Sequence, residues 1–130
     1  MKKINGNGRR ILVVDDDLAI RVLLDAVLKR MGFSVMLAQD GATALDYLER
    51  YDYDLILLDL MMPNVNGFEV LDKLDPRDQT PVVLFTAAPN GDQVRNPKVC
   101  AAIQKPFDLD TFLERISGCL SQSESLEAPR

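Results

Sequence analysis

With 130 residues, 47% of them hydrophobic and 27% charged, the chain has the make-up of a single soluble globular domain with a core of useful size. Its net charge of −5 argues against direct nucleic-acid binding, because a phosphate backbone demands a basic surface. Histidine is absent, which excludes a histidine nucleophile, a histidine-based triad and any histidine metal ligand from this chain; carboxylates, Thr, Lys and backbone must carry any chemistry.

Residues 1–9 are polar and rich in Gly and Asn, and read as a flexible leader. Lys2, Lys3, Arg9 and Arg10 form a small basic cluster with no apolar stretch behind it, so a secretory signal is not expected. No segment reaches the length of a membrane span. From Arg10 a pattern of short apolar runs and helical stripes begins. Ile11–Val14 is a continuous apolar strand. Ile20, Leu23, Leu24, Val27, Leu28 and Met31 form a helical stripe over 18–31, stopped by Gly32. Strand character returns over 33–38, and residues 41–50 are helically spaced through Ala44, Leu45 and Leu48. Leu55–Leu58 is wholly aliphatic, as a strand covered on both faces should be. A helix follows from Gly67 through Val70, Leu71 and Leu74, ended by Asp75-Pro76. Pro81 introduces a strand over 82–85.

Residues 87–99 carry Pro89, Asn90-Gly91 and Pro97, which leave room for at most a short helix. Residues 101–104 form a last strand, and Asp108 caps a helix whose stripe is Leu109, Phe112, Leu113, Ile116 and Leu120. Residues 122–130 lack apolar periodicity and read as a disordered tail or the start of a linker, leaving 10–121 as the domain. Strand and helix alternate five times. That order implies right-handed crossovers and a doubly wound, five-stranded parallel sheet with helices on both faces. Cys100 and Cys119 are too distant for a CxxC motif and too few for a disulfide framework, so they read as reduced cytosolic thiols.

In an open parallel sheet the residues that close each strand share one edge, where ligands bind. Here that edge receives Asp15, Asp16 and Asp17, then Asp59, Thr86 and Lys105-Pro106. Crowded carboxylates repel one another unless a cation offsets them, and oxygen donors without His or Cys favour Mg²⁺. Asp17 is well explained as the cap of the helix starting at Leu18; for Asp15 and Asp16 capping alone is the weaker account, since one cap needs one side chain. Asp59 beside them is a candidate nucleophile, since carboxylates form acyl phosphates; Lys105 supplies the opposite charge and Thr86 a hydroxyl. Together they describe phosphoryl transfer.

Four motifs, ILVVDDD, DLILLDLMMPNVNG, PVVLFTA and QKPF, occur in that order, and over residues 9–120 the chain resembles the receiver domain of bacterial two-component response regulators. The resemblance implies a flavodoxin-like fold and a phosphoacceptor at Asp59. It implies Mg²⁺ held by Asp16 and Asp59 directly, by Asp15 through water, and by the Met61 backbone carbonyl. Lys105 would then pair with the phosphoryl group and Thr86 would move toward it as the switch, with Pro106 after a cis peptide bond and Gly67 in a structural role. Phe107 would pack rather than react. A sensor histidine kinase or phosphotransfer protein would donate the phosphoryl group in the cytoplasm, with no role for membrane or nucleic acid in this domain.

Two departures bear on output. An aromatic residue common in the family three positions before the lysine is replaced by Ala102, and the segment from Thr86 to Lys105 is short. The expected outcome is intact phosphorylation chemistry with an atypical readout. A haloacid dehalogenase-type phosphatase also uses a strand-end Asp and Mg²⁺, but Asp15, Asp17 and Ala19 lack the Thr or Val its motif requires. An interaction module that keeps the fold and works without phosphorylation is a third reading. Dinucleotide binding fails on order, because Gly6-Asn7-Gly8 precedes the first strand instead of following it.

Overall fold

Leu55–Leu58 and Val82–Thr86 are buried along their whole length, as is Ile11–Val14, which accounts for their continuous rather than alternating apolar runs. The structure, a computed structural model, describes residues 5–87 and 94–127. Among these residues nine elements follow in order: β1 (Arg10–Val14), α1 (Leu18–Arg30), β2 (Ser34–Ala38), α2 (Gly41–Arg50), β3 (Leu55–Leu58), α3 (Gly67–Lys73), β4 (Val82–Thr86), β5 (Val99–Gln104) and α4 (Leu109–Glu127). All five strands are parallel, in the order β2-β1-β3-β4-β5. The chain winds outward from β1 to β2 and then returns to β3 on the other side, so the order in which strands are added reverses between β1 and β3. This is the doubly wound, flavodoxin-like arrangement expected, and its switch point lies between the strands that end in Asp15 and Asp59.

Alternation along the strands feeds two cores. Ile11, Val13, Leu55, Leu57, Val83 and Phe85 face Leu24 and Leu28 of α1 and Phe112, Leu113 and Ile116 of α4. Leu12, Val14, Ile56, Leu58, Val82 and Leu84 face Ala44 of α2 and Val70 and Leu71 of α3. Each large apolar side chain so buried contributes about 2 kcal/mol, so α4 is held firmly by its own stripe.

Helix starts follow the cap residues. Asp17 accepts from the Ala19 amide at 2.9 Å, Asp40 from Thr43 at 2.7 Å and Asn66 from Glu69 at 3.1 Å. Asp108 accepts from Asp110 at 2.9 Å, as its reading as a cap requires. The Thr43 amide holds the Asp40 carboxyl below its ordinary range. At the end of α1, Gly32 takes φ 94°, a conformation that favours glycine, and the helix stops there as expected.

Three features differ from expectation. Residues 5–9, read as part of a flexible leader, are packed: the Gly6 amide donates to Met31 at 2.6 Å, Gly8 donates to Gly32 at 2.9 Å, and the Arg9 guanidinium lies over the Phe33 ring. α4 continues to Glu127, past the boundary expected at 121. The short helix allowed within 87–99 falls largely on residues outside the described ones, and among the described residues none lies between β4 and β5.

The cysteines require a correction. Cys100 and Cys119, expected as free thiols, are joined in a disulfide with Cα atoms 5.9 Å apart. Spacing rules missed it because the pairing depends on the fold. Val82 pairs with Val99 but Val83 with Ala101, so Cys100 is the extra residue of a β-bulge. The bulge places Cys100 and Ala101 in succession on the α4 face, and the crossover brings Cys119 above them.

Candidate functional site

Val14 and Leu58 are paired across β1 and β3, and the ladder continues one residue further. The Asp59 amide donates to the Val14 carbonyl at 3.0 Å, Asp15 to Ala38 at 3.1 Å and Lys105 to Thr86 at 3.0 Å. Backbone bonding therefore fixes Asp15, Asp59 and Lys105 on one edge, with Thr86 closing β4 beside them. Asp16 is exposed, and Asp17 caps α1 as expected.

Lys105 joins the two buried acids. Its ammonium lies 2.6 Å from Asp15 Oδ2 and 3.2 Å from Asp59 Oδ2, and 5.2 Å from the centroid of the Phe85 ring. The other oxygens are also engaged: Asp15 Oδ1 accepts from the Asp17 amide at 2.8 Å and Asp59 Oδ1 from the Met61 amide at 3.0 Å. Asp15 is fully buried and Asp59 is 4% exposed, while Thr86 is 2% exposed. The Lys105-Pro106 peptide is cis, as expected. Phe107 packs against Phe112 and Phe85, also as expected.

Burial raises the Asp15 carboxyl above its ordinary range, more than the Lys105 hydrogen bond and charge lower it, and the Asp59 charge adds to the rise. Burial pulls Lys105 down, but hydrogen bonds and charge from Asp15 and Asp59 together outweigh it and raise the ammonium. Asp15, Asp16 and Asp59 offer carboxylate oxygens within 4.8 Å of one another. Three carboxylates against one ammonium leave two negative charges uncompensated when all are ionised. An all-oxygen donor set with that deficit fits a hard divalent cation.

Sequence reasoning missed Arg21, whose guanidinium donates to the Asp15 carbonyl at 2.8 Å and ties α1 to the acidic edge. Nothing in the local sequence separates this arginine from a solvated one. It also missed an apolar cleft of about 320 Å³ beside Lys105, lined by Ile20, Leu23, Ala87, Pro106, Phe107 and Leu109.

Gly67 is structural, in the sense that a Cβ there meets the Asp59 carbonyl oxygen at 2.4 Å and the Leu60 Cα at 2.6 Å. Both are backbone atoms, so α3 must shift to accept any side chain. Gly67→Ala is expected to cost about 2 kcal/mol, read as a lower midpoint in urea denaturation with an unchanged slope.

The family model for the response regulator receiver domain matches residues 11–117. The chain belongs to that family. As a receiver it is 40% identical over 117 residues to the transcriptional regulatory protein CpxR of Escherichia coli (strain K12), covering 88% of this chain and 50% of CpxR. Response regulator MprA of Mycobacterium sp. (strain KMS) is 39% identical over 124 residues, covering 92% and 54%. The receiver thus spans about half the length of the curated relatives it matches. Among solved structures, a CheY-like receiver domain protein from Methanospirillum hungatei JF-1 aligns with TM-score 0.84 and 30% identity over 90% of this chain and 97% of that one. TrrA from Thermotoga maritima, solved in complex with Mg(2+)-BeF, aligns with TM-score 0.77 and 30% identity over 85% and 97%. The receiver is accordingly a signalling module of the two-component type, and among its described residues no helix is long and apolar enough to cross a membrane.

Proposed function

We propose that this receiver accepts a phosphoryl group on Asp59 and thereby switches a protein-interaction surface. The observation that carries the reading is the Lys105 ammonium bridging Asp15 and Asp59 at 2.6 and 3.2 Å, with Asp16 completing an acidic group on the same edge. An Asp59 carboxylate oxygen attacks phosphorus in a phosphohistidine. The bond from phosphorus to the imidazole nitrogen breaks, and the imidazole leaves. This chain has no histidine, so the phosphohistidine belongs to a sensor histidine kinase or a phosphotransfer protein, and a small phosphodonor can take its place. The apolar cleft beside Lys105, together with exposed Leu18 and Val22 on α1, offers such a protein a seat next to the acceptor.

Asp15, Asp16, Asp59 and the Met61 backbone carbonyl would hold Mg²⁺, which when bound offsets the charge of the carboxylates and the incoming phosphoryl oxygens; the Mg(2+)-BeF complex of TrrA supports this reading. Lys105 turns from the carboxylates to a phosphoryl oxygen, and the Thr86 hydroxyl donates to another. Water later cleaves the acyl phosphate and restores Asp59, so the module resets itself and acts on no external substrate. Its readout is atypical, because Ala102 has no ring to reorient when Thr86 moves. The domain works in the cytoplasm and leaves nucleic acid to whatever its partner or a following domain supplies.

A small acyl-phosphate donor with Mg²⁺ tests this directly. Intact-mass measurement should show one added phosphoryl group that is lost in acid and never forms in the presence of a chelator. Incorporation that ignores the chelator, or that maps to a residue other than Asp59, overturns the reading.

A further inference from the structure

Cys100 and Cys119 close a loop that begins on β5, passes through Lys105, Pro106 and the start of α4, and ends where α4 leaves the core. Leu120 is the last buried residue of that helix among those whose side chains are described. The bond is therefore placed to fix the exit of α4 rather than its docking. Phe112, Leu113 and Ile116 are fully buried and hold the helix without it. A domain with two such cores needs no covalent staple to fold.

The bond is also reachable. Cys119 is 2% exposed, but Cys100 sits half-buried on a bulge of an edge strand, where among the described residues only β4 pairs with it. Both sulfur-bearing residues line a cavity of about 710 Å³ whose other walls include Leu74, Pro81, Pro97 and Lys98. Of the two cysteines lining this cavity, Cys100 is the more exposed.

We propose that the Cys100–Cys119 disulfide is a reversible redox tether that sets how firmly the second half of α4 is held, independently of the phosphorylation chemistry. An external dithiol supplies the electrons. Its thiolate attacks Cys100 Sγ, the bond to Cys119 Sγ breaks, and Cys119 leaves as a thiolate that takes a proton. The second thiol of the reductant then displaces Cys100 from the mixed disulfide, leaving two protein thiols and an oxidised reductant. Exchange with an external disulfide reverses each step. In the cytoplasm, where the proposed function places this receiver, reduced thiols keep structural disulfides rare, and those that form are mostly transient, catalytic or redox-sensing.

The test needs no phosphodonor, so its failure is separable from failure of the phosphorylation reading. The whole chain is purified in air, denatured and alkylated with and without a dithiol reductant. No cysteine should react before reduction and both should react after it. In the native protein, reduction should lower the thermal midpoint by about 10 °C. It should also speed amide exchange over 116–121 by at least about tenfold beyond the uniform acceleration that the lower midpoint brings to β1, β3 and β4. Cys100→Ser with Cys119→Ser should match the reduced protein and ignore the reductant. Free thiols in the air-purified chain overturn the proposal. So does an acceleration over 116–121 no greater than that in β1, β3 and β4, which would make the bond a structural staple.

Discussion

Asp59→Asn is expected to take up no phosphoryl group from any donor, in Mg²⁺ or without it. The amide oxygen that replaces the carboxylate is neutral and a poor nucleophile, and the adjacent amide nitrogen can only donate toward Lys105. Geometry should survive the change. Asp59 Oδ1 accepts from the Met61 amide, and an asparagine oxygen can keep that bond. The substitution also removes one of three crowded negative charges, leaving Asp15 and Asp16 opposite Lys105. Thermal stability should therefore equal or exceed that of the parent, so a null result on phosphorylation cannot be ascribed to unfolding. Mg²⁺ affinity should fall, because one oxygen ligand is neutralised. Intact mass after incubation with a small acyl-phosphate donor, alongside a melting curve, gives both readouts. Label at the parental level on Asp59→Asn would move the nucleophile to Asp15 or Asp16.

The strands and their shared edge were legible because full burial writes itself as uninterrupted apolar runs, and a polar residue at the end of such a run has one place to go. Ile11–Val14, Leu55–Leu58 and Val82–Phe85 were readable on that ground alone, and with them the positions of Asp15, Asp59 and Thr86. Cap chemistry identified Asp17 and Asp108 equally well, since a single carboxylate before a helical stripe has a local task.

What the sequence hid depends on distance in space. The Arg21 bond to the Asp15 carbonyl joins a helix to a strand end, and nothing near either residue announces it. The disulfide is a sharper case. Its partners are brought together by a crossover and then aligned by a bulge of one residue, and a strand read with strict alternation would send Cys100 to the opposite face from Ala101. Packing of residues 5–9 was hidden for a related reason. Gly6 looks like a flexible element, yet a Cβ there would lie 2.5 Å from the Phe33 amide nitrogen, so the same absence of a side chain permits close packing.

The acidic edge carries its own counterion, and removing that ion should couple stability to metal. In the described geometry Lys105 occupies the inner oxygens of both Asp15 and Asp59, with its side chain 17% exposed and theirs 0% and 5%. Lys105→Gln leaves two buried carboxylates with no cation between them, a change that costs about 3 kcal/mol when a buried pair loses one partner. In metal-free buffer the variant should melt well below the parent. A divalent cation can offset what the ammonium no longer supplies, and it binds the folded state alone, so Mg²⁺ should raise the variant's midpoint more than the parent's. In the parent, added metal meets oxygens already engaged by Lys105; in the variant they are open. Affinity for Mg²⁺ should rise while the rate of phosphoryl uptake falls about 10²-fold, because no ammonium remains to follow the transferred oxygens. Thermal melts across a Mg²⁺ titration, with phosphoryl uptake measured at saturating metal, separate the two effects. Equal Mg²⁺ dependence in the parent and in Lys105→Gln would mean that the ammonium and the metal do not share the Asp15 and Asp59 oxygens, and the charge balance assigned to this edge would be wrong.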